Sequence, residues 1–98
     1  MRFNWDEDKN RRNRIKHGIR FETAAQVFAD PFAIARFDAR KDDEQRWQII
    51  GVSAGISVLL VAYTMREEEG DEIIRIISAR KATPLERKAY AESHKKNG

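Results

Sequence analysis

Three runs rich in β-branched and aromatic residues, at 46–53, 56–65 and 73–80, are separated only by short connections at Gly55 and around Gly70. No other feature restricts the fold so strongly. Connections this short join antiparallel neighbours, because a parallel pair needs a crossover of a dozen or more residues. The spacing therefore predicts an antiparallel meander. Residues 32–37 predict one further strand ahead of it, with the charged stretch ARKDDEQ as the intervening loop and REEEGDE as the last hairpin tip.

The flanks read as helices. Asp6 can cap a first helix, with Glu7 and Asp8 in its first turn and Arg12, Arg14 and Lys16 toward its end, where the helix dipole favours each sign. Gly18 is a natural stop. This helix offers only Ile15 for burial, with Trp5 just before it, so it should lie on the surface. A second short helix fits 22–29, with Ala24, Val27 and Phe28 on one side and Asp30-Pro31 ending it. Thr83-Pro84-Leu85-Glu86 is a capping box with proline at the first helical position, and predicts a last helix over about 84–93, with the final HKKNG frayed. The expected fold is one α+β domain spanning 1–98: two N-terminal helices, a four-stranded mainly antiparallel sheet and a C-terminal helix.

Composition limits the chemistry. A chain of 98 residues can bury a thin core without cross-links. It has no cysteine and only His17 and His94 as histidines, which excludes thiolate sites and argues against zinc. No apolar leader opens the chain and its longest apolar run, ISVLLVAY, is too short to span a bilayer, so a cytoplasmic protein with no membrane partner is the expectation. The net charge of +3 is compatible with a nucleic-acid partner and equally with ordinary solubility.

The cations converge on one strand–helix unit, RIISARKATPLERKAY, residues 75–90. Strict strand alternation puts Ile73, Arg75, Ile77 and Ala79 on one side and Ile74, Ile76, Ser78 and Arg80 on the other, so Arg75 and Arg80 share a cleft only if a bulge breaks the alternation. Arg87 and Tyr90 on the last helix could join Arg75. The competing reading pairs Arg75 with an acid such as Glu44, leaves Arg80 and Arg87 in solvent and makes Tyr90 a half-buried anchor. Lys16-His17-Gly18 carries the side chain best suited to acid–base work near neutrality, with a cation beside it for phosphate. The competing reading is a helix C-terminus stabilised by its cations. Arg46 could join an anion site or pair with Asp43 or Glu44, while Trp47 packs beside Ile49. Such a toolkit suits RNA cleavage without metal: the substrate's 2′-OH attacks the adjacent phosphorus while arginine or lysine neutralises the developing charge.

In order along the chain, Phe3, Trp5, Asp6, Lys9, Asn13, KHGI at 16–19, Phe21, Glu22, Val27, Phe28, Asp30-Pro31, Glu44, Arg46, Trp47, Gly51, RIISARKAT and ERKAY form a set. With these residues the sequence resembles the BrnT toxins of bacterial type II toxin–antitoxin systems. The resemblance covers nearly the whole chain. It implies a RelE-like ribonuclease that needs no cofactor and inhibits translation. It also implies a cognate BrnA-type antitoxin, with operator DNA bound only through the antitoxin complex. Carried over residue by residue, it implies Arg75 and Arg80 on the scissile phosphate, His17 or Tyr90 as acid–base, and Lys16, Arg46 and Arg87 as RNA or phosphate contacts. Arg20 and the long acidic hairpin tip depart from the family pattern. The alternative is a non-catalytic module that binds an antitoxin and acts as co-repressor; convergence of Arg75, Arg80 and His17 on one cleft would distinguish the enzyme.

Overall fold

The computed structural model describes residues 1–41, 44–55 and 57–96; Asp43, Ile56 and the last two residues of the expected frayed tail lie outside them. The order is β1 (Arg2–Asn4), α1 (Glu7–His17), α2 (Phe21–Ala25) running into a 3₁₀ turn (Gln26–Ala29), β2 (Ile34–Lys41), β3 (Glu44–Ser53), β4 (Ser57–Glu68), β5 (Asp71–Lys81) and α3 (Pro84–Lys96). The strands form one sheet in the order β1-β5-β4-β3-β2. The antiparallel meander is present, but the sheet has five strands and is mixed, because β1 pairs in parallel with β5. Three residues are too few to show a period, so β1 left no trace in the sequence pattern. Its N-terminal ammonium and Arg2 both bind Asp71, at 2.8 and 2.9 Å.

The strands also run longer than expected. β2 and β3 extend through most of ARKDDEQ, and in REEEGDE only Glu69 and Gly70 turn. Both have positive φ, 52° and 79°, the backbone twist of a tight two-residue hairpin.

The two faces of the sheet are treated differently. On one, α1, α2 and the 3₁₀ turn cover an apolar core of Ile19, Phe21, Ala24, Val27, Ile49, Leu59, Val61, Tyr63, Ile74, Ile76 and Ala79. On the other, α3 covers only one end, where Tyr90 packs on Ile50 and Leu60.

α1 docks in a way its sequence did not announce. Ile15 is 80% exposed, while Asn10 and Asn13 are buried. Asn13 Nδ2 donates to Ala79 O (2.9 Å) and to Ile19 O (2.9 Å), and Asn13 Oδ1 accepts from Ala79 N (3.1 Å). Asn10 Oδ1 accepts from Phe21 N at 2.8 Å. The helix thus lies against a strand edge and satisfies backbone groups there, which calls for amides rather than an apolar stripe.

Asp30 ties the far side together. Its Oδ1 accepts from Phe32 N (2.9 Å), and its Oδ2 from Val52 N (2.8 Å) and from the Tyr90 hydroxyl (2.7 Å). Gly51 lets this corner close on β3: a Cβ there would meet Val27 Cγ1 at 2.9 Å and Ala33 Cβ at 3.0 Å.

Candidate active site

The register places the candidate arginines. Arg46 of β3 pairs across to Thr64 of β4, and Thr64 to Arg75 of β5, so the three stand side by side on one face. β1 extends the row, because Asn4 pairs with Arg75 and accepts a hydrogen bond from its Nη1 at 3.2 Å. Between Ala62/Ser78 and Tyr63/Ile76 the pairing slips by one residue, which makes Ile77 a bulge. Strict alternation therefore fails: Arg75, Ser78 and Arg80 share one face, and Ile74, Ile76 and Ala79 share the other. The shared face is the half-covered one, because Arg80 pairs across to Leu60, against which Tyr90 packs. Arg75 and Arg46 are exposed and Thr64 is buried beneath them.

The same face carries groups that the sequence did not single out. Arg36 Nε donates to Gln48 Oε1 at 2.7 Å, one pleat from Arg46. Beside the row, a recess of about 180 Å³ is lined by Asn4, Glu44, Thr64, Arg66, Ile73 and Arg75. Arg36 sits within the expected first strand and Arg66 in the stretch read as the hairpin tip; the register puts both on this face.

The other candidates are held differently. Arg80 forms a fork with Glu86, Nη1 to Oε1 at 2.8 Å and Nη2 to Oε2 at 3.0 Å. Glu86 also accepts from Thr83 N at 2.8 Å, while its own N–H donates to Thr83 Oγ1 at 3.2 Å, so the predicted capping box is present. The Arg80 guanidinium, with help from Thr83, holds the Glu86 carboxyl down at about 2. Tyr90 is 8% exposed and donates to Asp30; burial first and Asp30 second push its hydroxyl up to about 12. Its environment is that of a buried tether. Arg87 Nη1 donates to Ala82 O at 3.0 Å, at the start of α3. Lys16 and His17 line a separate groove with Lys9, Arg12, Asn13, Ile77 and Ser78, where α1 meets the margin of β5. His17 therefore flanks the arginine face across the bulge and does not stand within the row. Among the described residues, no group of three or more His, Asp or Glu side chains is placed to hold a metal ion, and no helix is long and apolar enough to cross a membrane.

The family profile described as "Ribonuclease toxin, BrnT, of type II toxin-antitoxin system" matches residues 5–86. The chain belongs to the BrnT family of ribonuclease toxins. The fold agrees with a solved member, the ribonuclease toxin BrnT of Brucella abortus in its 1.1 Å crystal structure, with a TM-score of 0.59 and 28% identity over 85% of this chain and 97% of that one. No curated protein matches the chain. Membership in a type II toxin–antitoxin family implies an antitoxin partner. The BrnT match spans β3 to β5 and so includes the entire Arg46–Thr64–Arg75 row.

Proposed function

We propose that this chain is a metal-independent endoribonuclease that cuts RNA on the half-open face of its sheet, and that a BrnA-type antitoxin neutralises it. The observation that carries this reading is the Arg46–Thr64–Arg75 row. Two exposed guanidiniums stand on β3 and β5, on either side of Thr64 of β4, where α3 leaves the sheet uncovered. A strand-mounted pair of this kind can meet the phosphate oxygens of a strand of RNA laid across the sheet. The nucleophile is the substrate's own 2′-OH, so the protein's part is to neutralise charge on the phosphorane and to manage protons.

In this assignment Arg75 and Arg46 contact the scissile phosphate. Arg80 borders the row and adds charge that Glu86 partly offsets. Lys16, His17 and Arg87 lie around the margin and serve the flanking phosphates. Tyr90 holds α3 in place. Cleavage of this kind would inhibit translation, and operator DNA would be reached only through the antitoxin complex.

The test is cleavage of a defined RNA by the purified protein in the presence of a chelator, beside Arg75→Ala. Fragments ending in 2′,3′-cyclic phosphate that disappear in the variant are the expected result. No cleavage by the wild-type protein, with antitoxin binding intact, would favour the non-catalytic co-repressor.

A further inference from the structure

The arginine face needs a group to take the 2′-OH proton, and the two side chains suggested by sequence do not stand in the row. Tyr90 is buried against Asp30, and His17 lies across the β5 margin. One carboxylate lines the recess beside the row. We propose that Glu44 is the general base of RNA cleavage; this rests on the nuclease reading above.

Glu44 opens β3, two residues before Arg46 and therefore on the same face. It lines the recess shared by Asn4, Thr64, Arg66, Ile73 and Arg75, and among the described residues it is the one carboxylate there. It is exposed, and among the described residues no side-chain hydrogen bond or ion pair engages its carboxylate. The charged residues around it include Arg66 from β4, itself paired with Glu68 at 3.2 Å, Arg75 from β5, Arg46 from its own strand and Lys41, its cross-strand partner in β2, with Asn4 from β1 as the neutral neighbour. The recess, about 180 Å³, is smaller than sites that enclose a whole ligand, as suits a polymer that is gripped at one linkage.

The step balances without any further reactant. Glu44 takes the proton of the 2′-OH, and the 2′-oxygen forms a bond to phosphorus. The bond from phosphorus to the 5′-oxygen breaks, and that oxygen leaves with a proton from water. Glu44 then returns its proton to solvent. The products are a 2′,3′-cyclic phosphate and a 5′-hydroxyl. Asn4, through its hydrogen bond to Arg75, is a positioning residue for this step.

The experiment compares wild type, Glu44→Gln and Glu44→Asp in the full chain. Cleavage of a short RNA is followed across pH, and binding of the same sequence with 2′-O-methyl riboses is followed by anisotropy. Because Glu44 is exposed, unchanged thermal midpoints are expected. Glu44→Gln should lose about 100-fold or more in rate, bind the methylated RNA at least as tightly as wild type, and lose the acid-side fall of the pH–rate profile. Glu44→Asp should restore part of the rate together with that fall. A Glu44→Gln protein that cuts within about threefold of wild type, with the same profile, overturns the assignment and leaves the nuclease reading standing. A wild type that binds RNA without cutting it overturns both.

Discussion

The two faces of one sheet do opposite things with similar backbone. The face under α1 and α2 is sealed: Phe21, Val27 and Val61 are fully buried, and even the strand edge is closed by Asn13. The face under α3 is sealed only at the Tyr90 end and then opens onto Arg36, Arg46, Arg75 and Arg66. A sheet needs one apolar face for its core, and the other is then free for chemistry. The lesson is one of division. Substitutions on the sealed face should be read as stability, and those on the open face as activity.

The sharpest break of that comparison is Phe21→Ala. It should cost about 3–5 kcal/mol and remove most of the stability of a domain this size, measured by urea unfolding. Arg75→Ala should do the reverse, with about 100-fold or more lost in RNA cleavage and stability within about 0.5 kcal/mol of wild type. Equal effects of the two substitutions on unfolding would erase the distinction.

The boundary between the regions is the Arg80–Glu86 fork. The Glu86 carboxyl lies below its ordinary value when folded, so its contribution is complete above about pH 4.5 and is lost as pH falls toward about 2. Acid unfolding followed by circular dichroism should show wild type losing on the order of 1–2 kcal/mol over that window relative to Glu86→Gln. A smaller effect is expected at the sealed end of the open face. Tyr90→Phe should cost about 1 kcal/mol by removing the hydroxyl that Asp30 accepts, with cleavage nearly unchanged.

Much of this division was legible in the sequence, and the failures have physical causes. Gly70 and the short connection at Gly55 announced the meander, and Thr83 to Glu86 announced α3, because turns and caps are local chemistry. β1 was invisible because a three-residue strand draws its partner from the other end of the chain. The burial of Asn10 and Asn13 in place of Ile15 was invisible because it depends on a strand edge far away in sequence. At the site, Arg46 and Arg75 could be named, but their alignment through Thr64 needed the register. The bulge at Ile77, which brings Arg80 to the same face, has no residue signature of its own. From sequence, Glu44 reads equally as an ion-pair partner for Arg75, whereas in the fold the two line one recess. Glu86 as partner of Arg80 was hidden by its more obvious role in the capping box.

The central claim is that RNA lies on the open face, across the Arg46–Thr64–Arg75 row. Its most direct test is a backbone amide NMR titration of the full chain with a short 2′-O-methyl RNA that cannot be cut. The account predicts shift changes concentrated at Asn4, Arg36, Arg46, Gln48, Thr64, Arg75 and Ser78, weakened in Arg75→Ala. Changes confined to the outer surface of α1, with the β3–β5 row silent, would contradict it.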